Sequence, residues 1–307
     1  MIRYDSESYR AVVLGIGVFD GVHLGHRRII GEVAELAKST GSLPVAVTFF
    51  PHPREVLCPE APPRLLLPPE ERLLRLRKAG AAGIGIIDFS SRIAATSPGD
   101  FLSDILSGSA AIRGICVGTR WRFGKNGEGD MHFLEVALSR RGVAFKAVPE
   151  LELDGELVSS SAIRDAIASG ELAKAERMLD APVCLYGTVG PGFHEATDIL
   201  DTPTANLRVA YGVLPPDGVY ATWAIVDGRR FPAVTNIGVA PTFGRENERR
   251  VETHLFDFSG DLYRRALTVE LKRRLRDERR FPSPAELKLQ IAADRKQALD
   301  ILTGGER

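Results

Sequence analysis

The chain has 307 residues, room for one large domain or two ordinary ones, and 44% hydrophobic residues can build a core in either case. Forty acidic and forty basic side chains cancel to a formal net charge of zero, which excludes a global field that would recruit nucleic acid or an anionic membrane. Three scattered cysteines exclude a disulfide framework and fit a reducing compartment; with residues 1–10 polar and no apolar run near about 18 residues, no signal peptide or membrane span is expected and the protein is placed in the cytoplasm.

The first predicted element is a buried strand over residues 11–14. It feeds Gly15-Ile16-Gly17-Val18-Phe19-Asp20-Gly21-Val22-His23-Leu24-Gly25-His26, and an amphipathic helix over residues 29–37 follows. A glycine-rich strand-to-helix junction suits a phosphate, because glycine lets the backbone approach an anion and the helix start offers unpaired N–H donors. Neither common phosphate motif fits. A dinucleotide fingerprint needs glycine where Asp20 stands, and a Walker loop needs Ser or Thr where Asn126 follows Gly124-Lys125. His23 and His26 are read as facing one pocket. A zinc corner and an incidental pair are the alternatives, and zinc would need further ligands. Phe19 reads as core.

Residues 43–50 form a second buried strand, ending in Thr48-Phe49-Phe50-Pro51-His52-Pro53-Arg54. Two prolines and a turn put His52 and Arg54 at the carboxyl end of that strand, where open α/β sheets bind ligands; a rigid turn with a surface histidine is the alternative. A helix runs from Pro68 to Ala79 with acidic residues first and basic residues later, then come a strand over 84–89, a capped helix from Ser97 and a strand over 112–117. The next loop, Gly118-Thr119-Arg120-Trp121-Arg122-Phe123-Gly124-Lys125, combines aromatics and cations suited to stacking a flat ligand while holding phosphate, or is a bare basic turn. A helix over 131–141 and a last strand over 145–148 precede Ser159-Ser160-Ser161-Ala162-Ile163-Arg164, a helix start in which serine satisfies free N–H groups and Arg164 stands one turn in. The alternation of strand and helix predicts a parallel sheet covered on both faces.

After a short helix over 170–180 the pattern changes to strands over 184–189, 218–226, 229–236, 251–258 and 266–271, with Asp227-Gly228 as a hairpin turn. A helix capped by Ser283 closes the chain to about Leu302. The basic stretch from Arg264 to Arg280 reads as a solvated surface. Two domains are expected, 1–182 and 183–307.

Gly17, Phe19, Asp20, His23, Gly25 and His26 match a Gly-x-Phe-Asp-x-x-His-x-Gly-His signature, and the stretch resembles the nucleotidylyltransferase superfamily. With the His52, Arg122 and Ser160 segments it resembles, over about residues 11–180, the adenylyltransferase half of the bacterial bifunctional riboflavin kinase and FAD synthetase family. Pro203-Thr204-Ala205-Asn206, Asn236-Ile237-Gly238 with Pro241-Thr242-Phe243, Glu252-Thr253-His254 and Gly260-Asp261-Leu262-Tyr263 resemble its kinase half. The resemblance implies a Rossmann-like α/β domain followed by a six-stranded β-barrel with a C-terminal helix. It implies FAD synthesis from FMN and ATP, and FMN synthesis from riboflavin, with Mg2+ and small-molecule substrates only.

By that resemblance His23, His26 and Arg164 serve adenylyl transfer and Glu252 is the kinase base. Gly17, Phe19, Asp20, Gly25, Ser160 and Ser161 meet nucleotide; His52, Arg54, Arg122 and Phe123 meet flavin; Thr204 and Asn206 hold metal and nucleotide phosphate. Several positions depart from the family pattern: Arg120 replaces Asp or Asn, Asn126-Gly127 replaces Gly-Arg, Arg264 replaces glycine, and Thr197, Asp198 and Asp201 stand in a loop that is usually Gly-Arg-rich. Carboxylates near a polyphosphate repel it, so a weak or lost kinase is expected. A non-catalytic flavin- or nucleotide-binding regulator is the alternative.

Overall fold

Residues 2–4, 10–107, 110–190, 204–239, 249–279 and 281–304 are described by the computed structural model of the protein. They fall into two units, Met1–Pro63 with Pro69–Ser160, and Arg64–Pro68 with Ser161–Arg307. The acidic segment 197–202, Pro203, Pro241-Thr242-Phe243 and Arg280, all singled out above, lie outside the described residues.

In the first unit β1 (Ile2–Tyr4), β2 (Ala11–Ile16), β3 (Leu43–Phe50), β4 (Gly83–Asp88), β5 (Ala111–Gly118) and β6 (Ala144–Val148) make one sheet in the order β1-β4-β3-β2-β5-β6. Strands β2 to β6 are parallel, as expected. The addition is β1, which runs antiparallel on β4 and covers that edge. Three residues are too few to show a period of two in the sequence.

Alternation along β2 divides its side chains between two layers. Val12, Leu14 and Ile16 pack with Phe101, Leu102 and Ile105 of α5 (Pro98–Leu106) and with Leu134 and Leu138 of α6 (Met131–Ser139). Val13 turns the other way, with Cys116 and Val148, onto Val33 and Ala37 of α1 (Leu24–Ser39). Burial pushes the Cys116 thiol up to about 12, so this cysteine behaves as a core residue, while Cys58 and Cys184 are only half-buried. From β2 the chain steps through β3 to β4, then returns to β5 on the other side of β2. The carboxyl ends of β2 and β5 therefore flank the switch point at which open α/β sheets bind ligands.

The second unit contains α7 (Ser160–Ala168, from its second residue), α8 (Leu172–Leu179) and strands β9 (Val183–Gly190), β10 (Thr204–Tyr211), β11 (Gly218–Val226), β12 (Arg229–Val239), β13 (Arg249–Leu255) and β14 (Ala266–Arg276). They close an antiparallel barrel in the order β10-β13-β12-β11-β14-β9. Asp227 (φ 47°) and Gly228 (φ 75°) make the left-handed pair that a tight hairpin needs. Inside, the hydroxyls of Thr222, Thr235 and Thr253 form a chain at 2.9 and 3.0 Å, so three buried polar groups satisfy one another. The C-terminal helix α9 (Pro284–Thr303) packs Ala298 and Leu302 on Ala221 and Phe256 of the outer wall.

Two expectations change. β10 was not anticipated as a strand, and Asn206, open to reading as a turn residue, lies within it. The basic stretch is not simply a solvated surface: β14 runs through it to Arg276, where that side chain grips the buried Asp294 on α9.

Candidate active sites

Past β2, the Gly17 N–H still donates to the Val47 carbonyl (3.1 Å), and the chain then turns through Phe19 (φ 56°), Gly21 (φ 86°) and Val22 (φ 44°). A left-handed backbone costs a side-chain-bearing residue about 1–2 kcal/mol, and for a β-branched valine it is a true outlier. The surroundings hold the strain. Phe19 and Val22 are fully buried. The Val18 carbonyl accepts from the Thr48 hydroxyl (2.9 Å) and from Arg72 Nη1 (3.2 Å), and the Asp20 carbonyl accepts from the Ser160 hydroxyl (2.8 Å).

His23 caps α1, its Nδ1 accepting from the His26 N–H (3.4 Å), which leaves the proton of the neutral ring on Nε2. The two imidazoles stack with centroids 3.6 Å apart and planes 21° from parallel, and the Phe19 ring meets His26 edge-on at 5.2 Å. A side chain at Gly25 would press on the His23 ring at 3.3 Å and the Val158 carbonyl at 3.5 Å, so only glycine leaves the imidazole its place. Burial, then His23 and Arg72, hold the His26 pKa well below the ordinary range. His26 is thus neutral at pH 7, with a buried Nδ1 that has no partner.

The structure brings Gly17, Phe19, Asp20, His23, Gly25, His26 and Ser160 together as one turn and helix start. Other expected residues have local tasks. His52 caps α2 (Pro53–Leu57), its Nδ1 accepting from the Arg54 N–H (3.0 Å) while its own N–H donates to Glu55 Oε2 (2.7 Å). Arg54 is exposed on that helix. Phe123 is 6% exposed, stacked on Trp121 at 4.7 Å and edge-on to Phe133, so its ring belongs to the core and Trp121 lies nearer the solvent. Arg122 faces Asp130 (3.5 Å), and Arg120 pairs with Glu150, which neutralises that departure from the pattern. Ser161 is exposed, and Arg164 Nε donates to the Arg64 carbonyl (2.7 Å).

The second constellation lies on the barrel. Asn206 on β10, Glu252 on β13 and Asn236 on β12 are register partners, and the next row is Thr204, His254 and Val234. The intervening Ala205, Thr253 and Thr235 are buried, so both rows face outward. A cavity of about 290 Å³ opens over them, with Thr204, Asn236, Glu252 and His254 on the barrel side and Leu287 and Ile291 on α9. Thr204 Oγ1, Asn236 Oδ1 and His254 Nδ1 are buried there with no partner, the condition of groups that a ligand completes. A hydroxyl and an amide carbonyl are hard oxygen donors, so Thr204 and Asn206 fit Mg2+.

Burial raises the Glu252 pKa; Arg250 opposes the rise and Glu278 adds to it. Glu278 accepts from Asn236 Nδ2 (2.9 Å), in space left free because residue 238 is glycine. Burial and Arg295 lower the His254 pKa. Arg264, a departure from the family glycine, adopts φ 61°, so the backbone there keeps a conformation glycine favours. Sequence alone did not expose Arg72, Glu278 or Asp294. Only Arg72 carried a signal, a cation in the first turn of α3 (Pro69–Lys78), against the helix dipole.

Residues 5–162 match the family model described as FAD synthetase, and residues 179–302 the one described as riboflavin kinase. The bifunctional riboflavin kinase/FMN adenylyltransferase of Pseudomonas fluorescens is 38% identical over 93% of this chain and 91% of its own length. Its counterparts in Bacillus subtilis (33%, over 94% and 91%) and Escherichia coli K12 (36%, over 92% and 90%) are similar. A crystal structure described as a macrolide-efflux protein from Streptococcus pneumoniae, 28% identical, matches with a TM-score of 0.83 over 96% of this chain and 95% of that one. Among the described residues no helix is long and apolar enough to cross a membrane. With both family models matched in order and full-length relatives above 30% identity, the chain belongs to the family of bifunctional riboflavin kinase/FMN adenylyltransferases.

Proposed function

We propose that the protein makes FMN from riboflavin in a domain of residues 183–307 and FAD from FMN in a domain of residues 1–182, using ATP in both steps, in the cytoplasm. The observation that carries the reading is the row Asn206, Glu252 and Asn236 on three adjacent strands, beside the unpartnered Thr204 hydroxyl. It sets a raised-pKa carboxylate next to oxygen donors for an ATP-bound cation.

In the kinase step the terminal riboflavin hydroxyl attacks the γ-phosphorus of ATP. Its oxygen forms the new P–O bond, the β–γ bridging bond breaks to release ADP, and Glu252 accepts the hydroxyl proton. A carboxylate raised by burial is a better acceptor than an exposed one. Thr204 and Asn206 would hold Mg2+, whose chemistry is to neutralise phosphate charge. The described residues keep this equipment, while the acidic segment behind the expectation of a weakened kinase lies outside them.

The adenylyl step needs no base, because the FMN phosphate is already anionic at neutral pH. Its oxygen attacks the α-phosphorus, the α–β bridging bond breaks and pyrophosphate leaves. His23 and His26 orient phosphate oxygens as neutral rings, and the turn at Phe19 to Val22 fixes their place. Arg164 supplies charge for the pyrophosphate.

The test is product formation from purified protein with ATP and Mg2+, supplied separately with riboflavin and with FMN, the flavins being separated by chromatography. FMN and then FAD from riboflavin, and FAD from FMN, are expected. FAD from FMN alone would mean a lost kinase, and bound flavin without turnover would refute the enzyme reading.

A further inference from the structure

We propose that Arg72 is a positioning residue for adenylyl transfer, its buried guanidinium locking the turn that carries Asp20 and His23. The inference rests on the adenylyltransferase reading of the α/β unit. Arg72 is 4% exposed and stands in the first turn of α3, where the helix dipole disfavours a cation. Something other than its own helix must therefore hold it. Nη1 donates to the Val18 carbonyl and Nη2 to the Phe49 carbonyl, both at 3.2 Å. One planar fork thus stitches the segment leaving β2 to the end of β3.

The position of the first contact matters most. Val18 directly precedes Phe19, where the backbone enters its left-handed passage, and the carbonyl between them takes a second donor from Thr48 at 2.9 Å. Two donors on this one carbonyl fix the peptide orientation from which the strained turn departs. Beyond the turn His23 begins α1 and stacks on His26, so a rotation at Val18 would displace both rings. Arg72 also faces His26 and opposes its protonation, in agreement with a guanidinium packed behind the imidazoles. An ammonium could not reproduce this, since lysine is a point charge and cannot span two carbonyls as a fork.

The experiment compares R72K, R72M and R72A in the full chain, measuring FMN to FAD and riboflavin to FMN on the same preparations. Arg72→Met is expected to lower kcat for FAD formation about 100-fold, the scale of a displacement of about 1 Å, with KM for FMN changed less than about threefold. Arg72→Lys keeps the charge but loses the fork and is expected to fall about tenfold. Millimolar guanidinium should restore Arg72→Ala, and methylammonium should not. Kinase rates unchanged in all three would report intact chains. If the Met and Ala variants do not fold, Arg72→Lys decides: wild-type kcat in it overturns the inference, as does a folded Arg72→Ala that guanidinium leaves unrescued. Absence of FAD synthesis in the wild type would refute the proposed function, and this inference with it.

Discussion

Replacing Asp294 by leucine is expected to destabilise the barrel unit by about 3 kcal/mol, at the low end of the range for breaking a buried ion pair. The carboxylate is 3% exposed, and accepts from Arg276 Nε at 3.0 Å to each oxygen, from Nη2 at 2.8 Å and from Gln290 Nε2 at 2.7 Å. Removing it leaves a guanidinium with no counter-charge. That side chain is 21% exposed, so water can reach part of it, which selects the lower figure. The chain has two tryptophans, Trp121 in the first unit and Trp223 in the barrel, so in a Trp121→Phe background fluorescence reports the barrel alone. With a urea slope of about 2 kcal/mol/M, the loss should lower the midpoint by about 1.5 M. The double variant Asp294→Leu/Arg276→Met removes both charges and should recover to within about 1 kcal/mol of the parent. A single variant that loses less than about 1 kcal/mol, or a double as unstable as the sum of its singles, would refute the assignment of Asp294 as the clamp that holds α9.

Glu252→Gln should abolish riboflavin phosphorylation by about 10²–10⁴-fold and leave FMN adenylylation unchanged, measured on one preparation. Glu278 adds to the rise of the Glu252 pKa, so Glu278→Gln should move the acid limb of the kinase pH–rate profile to lower pH; an unmoved limb would remove Glu278 from that role. Arg264→Gly should stabilise the barrel by about 1 kcal/mol, because glycine adopts the left-handed backbone without the side-chain penalty, and denaturant unfolding would show it. His26 is held below its ordinary pKa in the folded state, so over that window the unfolded chain binds more protons and stability rises with pH. The α/β unit should therefore weaken as pH falls below about 6.5, and His26→Asn should flatten that slope when Trp121 fluorescence is followed in a Trp223→Phe background.

Local chemistry made much of this protein legible in its sequence. Leu43–Phe50 is a continuous apolar run ending at proline, and Asp227-Gly228 between Gly218–Val226 and Arg229–Val239 marks its own hairpin. The same dipeptide at Asp154-Gly155, between two-residue strands at Glu152–Leu153 and Glu156–Leu157, was passed over because such short flanks show no alternation. β10 was hidden for a different reason: reading Thr204 to Asn206 as a site obscured that Ala205 and Leu207 alternate inward along a strand. In the sites, residues carried by a contiguous motif came out together, as from Gly17 to His26. Arg72 meets Val18 across 54 positions, and Glu278 meets Asn236 across 42, and no spacing rule joins such pairs. Phe123 shows the reverse limit, since an aromatic in a basic loop reads alike whether it faces a ligand or the core.

The row Asn206, Glu252 and Asn236 crosses the barrel wall along the hydrogen-bond direction, so the spacing of its members is the separation of paired strands, about 4.8 Å, whatever the connecting loops do. A slip of β13 by one residue would turn Glu252 inward and Thr253 outward, breaking the hydroxyl chain inside the barrel as it dismantled the row outside. Phosphorylation and correct strand registry are then gained or lost as one event. A single turnover of riboflavin certifies the whole closed wall, and loop sequences can vary around it without moving the base.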